Sequence, residues 1–319
     1  MDKSKIRKKL LSKPVKDIDL TKISSFNDLI EQYLASGGFT AKKLSQGVEI
    51  LEQMVKDKEM TKFLSFPACI IATGTRGVIK EIVKHKWFDV IITTCGTLDH
   101  DLARIWRNYY HGAFMMDDKE LHKLEINRLG NVLVPNESYG VILEEVMQRI
   151  LQDIYMSGKN ELSTYELVWE IGKRIDSEDS IVYWAYKNKI PVIIPGITDG
   201  AVGYQLWLFA QTHTDFRVNV IADEQYLNDT IWESKKTGAF MIGGGISKHH
   251  TIWWNQFKDG LDLAVYITTA PEWDGSLSGA RLREAVSWGK IGENAKYVTI
   301  EGDATVLLPL MTLALLERL

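Results

Sequence analysis

Cysteine is nearly absent: the 319-residue sequence has two, Cys69 and Cys95. Two thiols cannot build the disulfide framework of a small secreted domain or a cysteine-ligated zinc site. Both lie in apolar, strand-like runs, which predicts buried and reduced side chains. An excess of charge of either sign is also missing. The net charge is −4 with basic residues dispersed along the chain, which predicts neither a nucleic-acid partner nor an anionic membrane surface. The basic start, MDKSKIRKKLLSKPV, is not followed by an apolar run of signal-peptide length, so a cytoplasmic location is expected. The most apolar segment, TVLLPLMTLALLERL at the C-terminus, is too short to span a bilayer and carries Pro309, Glu317 and Arg318. It predicts a core-facing helix. No internal repeat, low-complexity tract or linker rich in Pro, Gly or Ser divides the chain. The simplest division is a helical N-terminal extension over residues 1–60 and one large domain over 61–319.

What the sequence does contain is a recurring pattern of short apolar runs: DVIITTCG, NVLVP, PVIIPG, RVNVIAD, AFMIGGG, LAVYITTA and YVTIEGD. They alternate with stretches of helical period such as STYELVWEIGKRI. Continuous apolar runs of this length read as strands buried on both faces, so the predicted fold class is α/β, with an open, mostly parallel, Rossmann-like sheet and helices on both faces. In such sheets ligands bind beyond the carboxyl ends of the strands. Here those ends run into TLDHD, ITDG, ISKHH, PEWDGS and DAT, which sends Thr94, Gly96, Asp99, Asp199, Gly243 to Gly245, His249, Asp274 and Asp303 to one edge.

Individually these groups admit two readings. The glycine triplet allows positive φ and close approach of backbone to a pyrophosphate, but it also suits a tight turn and lacks the G-x-G-x-x-G spacing. His249 and His250 are adjacent and their rings diverge, so no metal site is predicted, while His249 suits proton transfer near neutrality. LDHD, residues 98–101, offers oxygen and nitrogen ligands, or simply a solvated helix start. In SWGKI, Lys290 follows Trp288 and Gly289. A lysine attacks carbonyls or imines only as the free amine, which an apolar wall favours, yet a surface lysine lying over an indole has the same spacing.

The run GGGISKHHTIWWNQFKDGLDLAVYITTAPEWDGSLSGARLREAVSWGKI resembles the C-terminal half of deoxyhypusine synthase. INRLGNVLVPNESY, YWAYKNKIPVIIPGITDG and GDAT extend the resemblance over most of the chain. It implies an NAD-binding catalytic domain that transfers the 4-aminobutyl group of spermidine to one lysine of translation initiation factor 5A. In the family's chemistry NAD takes a hydride from the carbon beside the secondary amine of spermidine. A lysine then attacks the resulting imine, releases 1,3-diaminopropane and holds an aminobutylidene Schiff base, which the acceptor lysine takes over before the hydride returns.

By this match Lys290 is the nucleophile and His249 the proton-transferring residue. The NAD positions are Ala68, Ala72, Thr94, Cys95, Gly96, Asp199, Gly244, Thr269, Ala270, Asp274, Asp303 and Ala304. The polyamine positions are Asp99, His100, Tyr204, Gly275, Ser276, Leu277, Glu284 and Trp288. A homotetramer with active sites at a dimer interface is implied, with the N-terminal segment near the site. Some positions depart from the eukaryotic pattern: Tyr204 and Leu277 stand where aspartates are usual, Asp99 and His100 replace a glutamate pair, and Pro67, Ala68 and Cys69 replace a serine-bearing segment. Trp253 and Trp254 could supply cation–π contacts in place of the lost carboxylates, or pack a helix into the core. Homospermidine synthesis, with putrescine as acceptor, and a non-catalytic NAD-binding paralogue are the alternative readings.

Overall fold

A computed structural model describes residues 3–319. Six parallel strands form the central sheet: β1 Met60–Ser65, β2 Val90–Ile92, β3 Val192–Ile193, β4 Lys236–Ile242, β5 Leu261–Thr268 and β6 Ile291–Glu301. Their order across the sheet is β6-β5-β4-β1-β2-β3. The chain therefore builds outward from β1 in one direction, returns to the other side of β1 and builds outward again. That reversal is the topology of a doubly wound α/β sheet.

Side chains alternate between two cores, as the pleat requires. Leu64, Phe240, Val265 and Ile267 face one core, closed by α1 Phe39–Lys56, α2 Thr75–Lys84, α3 Cys95–Trp106, α4 Ala201–Thr212 and α7 Ala304–Arg318. Phe63, Met241, Ala264 and Tyr266 face the other, closed by helix Val220–Glu233, by α5 Gly245–Asn255 and by α6 Leu282–Val286. The helix at Thr164–Arg174 starts where Ser163 and Glu166 cap each other's backbone, a reciprocal capping box. The C-terminal segment is the expected helix and contains Pro309.

Three sequence expectations are corrected. NVLVP does not join the main sheet: Val132–Pro135 pairs antiparallel with Ile126–Leu129 and Tyr110–His111 in a separate three-stranded sheet. RVNVIAD supplies only Arg217–Val218 to a two-stranded patch before turning helical. Cys69 is exposed, because it lies in the 3₁₀ turn Ala68–Ala72 after β1, and the apolar neighbours Ile70 and Ile71 turn inward instead. Cys95 is buried as expected. No helix of the described residues is long and apolar enough to cross a membrane.

Candidate active site

The reversal in strand order opens a crevice between the carboxyl ends of β1 and β4. A cavity of about 390 Å³ lies there, walled by Pro67 and Cys69 after β1, Gly243 after β4, Thr269 after β5, and Asp303 and Ala304 after β6. Gly243 and Gly245 have φ of +66° and +74°, and a side chain at Gly245 would enter open space. No side chain caps α5, so its first N–H groups are free to meet an anion. Thr94 Oγ1 accepts from the backbone N of Ala68 at 3.2 Å and ties the β2 loop to the β1 loop. Asp199 lies exposed beyond β3. Ala72 and Cys95 turn their side chains into the core, leaving only backbone to offer a ligand.

Lys290 is fixed at the opposite, amino end of its strand: its carbonyl accepts from Leu261 N at 3.2 Å. Leu261 pairs with Ile291 but Leu263 with Lys296, so β6 bulges immediately after this lysine. The preceding turn depends on Gly289 at φ +68°. Although only 8 % exposed, Lys290 brings its Nζ to 3.5 Å from His249 Nε2, one turn into α5. The ammonium lies over two indoles, 5.2 Å from the Trp288 ring centre and 5.6 Å from that of Trp253. The His249 ring stacks on Trp253 at 5.8 Å. Burial, then the Lys290 charge, holds His249 below the ordinary histidine value of 6.5, so the imidazole is neutral at neutral pH and can take a proton. His250 turns away to face Glu224 at 3.0 Å. The diverging rings expected of adjacent histidines are thus present.

The loop after β5 packs against α5 at Lys248, the residue before His249. Asp274 Oδ1 accepts from Ser276 N at 2.8 Å and Ser276 Oγ at 2.7 Å, and those bonds hold its carboxyl below the usual range. Ala270 O accepts from the Arg281 guanidinium. Glu284, on α6, is exposed and close enough to act electrostatically on Lys248. Gly275, Ser276 and Leu277 form the outer rim of the loop.

Asp99, His100 and Tyr204 do not join them. They belong to α3 and α4, on the other face of the sheet, and β2 is four strand spacings from β6, about 19 Å at 4.8 Å per strand. Asp99 is fully buried and acts as a cap for α4: Oδ2 accepts from Ala201 N (2.9 Å) and Tyr139 Oη (2.6 Å), and Oδ1 from Val202 N (2.8 Å). Tyr204 is exposed and leans on Trp207. His100 Nδ1 lies 2.9 Å from Tyr109 Oη, and burial pushes its pKa down to about 4.

His100 yields a stability prediction. The unfolded chain binds this proton from about pH 6.5, but the folded chain not until about 4, so stability falls as pH drops through that window. The full loss attributable to His100 is on the order of 3 kcal/mol. Asp99 and Asp223, whose pKa values burial raises, act in the opposite sense, so the difference between wild type and His100→Gln isolates the effect. Urea unfolding at pH 7 and pH 4 is expected to show a larger acid loss in the wild type than in the variant; equal losses would contradict it.

A larger cavity, about 490 Å³, opens at the amino edge of the sheet between Asp57, Asp259, Asp262 and Glu293, with Lys236 and Lys296 on its walls. No residue expected from the sequence to serve the site lines it. Conversely, Trp253, read from the sequence as either a cation–π partner or core packing, stands at the site, and Lys248, which had been assigned no role, lies beside it. Trp253 stands four residues after His249, a helical spacing that puts both on one face. Lys248 is buried at 2 % exposure beneath the Asp274–Ala280 loop.

The family model described as deoxyhypusine synthase matches residues 28–315. A "probable deoxyhypusine synthase" of Picrophilus torridus is 60% identical over 98% of this chain and 99% of its own. Another, from Sulfurisphaera tokodaii, is 49% identical over 97% and 99%. A crystal structure from Entamoeba histolytica bearing the same family's name superposes with TM-score 0.64 over 94% of this chain and 96% of its own; at 20% identity it supports the fold.

Proposed function

The chain belongs to the deoxyhypusine synthase family, and we propose that it transfers the 4-aminobutyl group of spermidine to a specific lysine of translation initiation factor 5A, with NAD as cofactor and Lys290 as carrier. The observation that carries this reading is the enclosed amine of Lys290, 3.5 Å from a neutral imidazole and flanked by two indoles. NAD would accept the hydride from the carbon beside the secondary amine and later return it. The crevice at the strand reversal fits such a group: the open glycine turn, the uncapped start of α5, and Thr269, Asp303 and Ala304 at the cavity wall would hold it.

Within the chain's own residues, the free amine of Lys290 attacks the imine carbon. A C–N bond forms to Lys290, the bond to 1,3-diaminopropane breaks, and the Schiff base retains the four-carbon unit. His249 takes up and returns the proton that must move in each exchange of amines. Trp253 and Trp288 present their faces to the cationic chain, and Glu284 faces an ammonium. Attack by the acceptor lysine releases Lys290.

Asp99, His100 and Tyr204 lie too far from Lys290 to share its substrate within one chain. In this reading a second copy supplies them across a dimer interface, within a homotetramer. The Asp99 carboxylate is committed to capping α4, so the counter-charge from that side is small, which raises the importance of the indoles. Trp253→Leu is accordingly expected to raise the KM for spermidine about tenfold, the worth of one well-placed cation–π contact, while leaving kcat within a few-fold. Steady-state kinetics measure this, and an unchanged KM would assign the indole to packing.

The acceptor is tested by incubating the protein with NAD, labelled spermidine and either the cognate initiation factor or putrescine. Label on the factor's lysine supports the proposal. Label only in homospermidine replaces the acceptor, and absence of 1,3-diaminopropane overturns the enzymatic reading.

A further inference from the structure

Beneath the loop after β5, four successive carbonyls turn inward. Those of Leu277 and Ala280 accept from Lys248 Nζ at 2.8 and 2.6 Å. That of Ser278 accepts from Tyr266 Oη at 2.7 Å and Thr268 Oγ1 at 2.9 Å, and that of Gly279 from Arg281 Nη1 at 2.7 Å. The Lys248 ammonium also sits 3.9 Å from the centre of the Tyr266 ring. Two carbonyls and one ring face account for the three N–H donors of an ammonium, so this amine has none left for a substrate. It is as buried as any core residue, and that burial, opposed by Glu284 and reinforced by Arg281 and Lys290, brings its pKa down to about 8. The contact it anchors is already close: a Cβ on Gly244 would come within 2.4 Å of Ser278 Cα.

We infer that Lys248 is a positioning residue that bolts the Asp274–Ala280 loop to α5, so that the loop and the adjacent His249 hold one fixed relation to Lys290. The inference rests on the reading of Lys290 and His249 as the reacting pair. A lysine serves here because a single ammonium reaches two carbonyls that point the same way, and a charged donor makes each bond stronger than a hydroxyl would. Its neighbour on the helix is His249, so any slip of the loop against α5 is felt at the reaction.

Hydrogen exchange tests this without turnover. Gly279 and Ala280 donate their amides to Ser276 O, and in Lys248→Met these amides are expected to exchange at least about tenfold faster, with α7 unchanged. The KM for spermidine is expected to rise about tenfold or more, with a smaller change in kcat. In Lys248→Ala, added n-propylamine is expected to restore loop protection and lower KM, a rescue that a merely structural defect would not show. Unchanged loop exchange in Lys248→Met, or faster exchange with unaltered kinetics, overturns the inference. Loss of the transfer reading itself would appear differently, as absence of 1,3-diaminopropane in the wild type while the exchange result stands.

Discussion

Lys290→Ala is expected to abolish aminobutyl transfer, by at least about 10³-fold, while NAD binding stays within a few-fold of wild type. The size follows from chemistry: without the amine no covalent link to the four-carbon unit forms, and loss of a nucleophile costs that much or more where it has been measured. The selectivity follows from position. Lys290 Nζ meets His249, Trp253 and Trp288, and none of these lines the cavity proposed for NAD. Lys290→Arg sharpens the test. It keeps the charge over both indoles but offers no free amine, because guanidinium does not deprotonate in proteins, so it too is expected to be inactive. Activity in the arginine variant would mean that the charge, not the nucleophile, matters. Release of 1,3-diaminopropane together with calorimetric NAD titration measures both halves.

Gly244→Ala is expected to damage both the fold and NAD binding. The added methyl would lie 2.3 Å from Ser278 Oγ, 2.4 Å from Ser278 Cα and 2.7 Å from Ser278 N. Two of these atoms are backbone, and the loop that carries them is held by Lys248, Arg281, Tyr266 and Thr268 from below, so it cannot retreat cheaply. Overpacking of this kind costs about 1–3 kcal/mol. The melting temperature should fall, and NAD affinity should drop about tenfold or more, since the start of α5 and the β5 loop are driven apart. Gly245→Ala is the control. It meets open space and pays only for its φ of +74°, about 1 kcal/mol. If Gly244→Ala melts and binds NAD as the wild type does, the close approach has no consequence.

The sheet was legible because strands buried on both faces declare themselves by uninterrupted apolar runs, as PVIIPG and LAVYITTA do. A parallel sheet then forces all carboxyl ends to one edge, which is why the loops after β2, β3, β4, β5 and β6 could be grouped without coordinates. Partnership was not legible. NVLVP has the β propensity of a central strand, yet four residues suffice equally for a small antiparallel excursion. β1, MTKFLS, escaped notice because Thr61 and Lys62 interrupt its apolar pattern near the strand's start, although Phe63 and Leu64 are fully buried.

For the site, chain position conveyed which loops share an edge but not which face a helix covers. The resemblance groups Asp99, His100 and Tyr204 with Lys290 in one polyamine site, and within a single chain the sheet separates them. The pairing of Lys290 with His249 joins the amino end of one strand to a helix that starts at the carboxyl end of another, which no spacing rule conveys. Trp253 was within reach of periodicity, since i and i+4 on a helix share a face. Lys248 was not: its partners are carbonyls, and carbonyls leave no trace in a sequence.

The most direct test of the account is to trap the carrier. Protein incubated with NAD and labelled spermidine, then reduced with cyanoborohydride and digested, is expected to carry the four-carbon label on the peptide containing Lys290 and nowhere else. Label on another lysine, Lys248 included, or release of 1,3-diaminopropane with no labelled peptide at all, would contradict it.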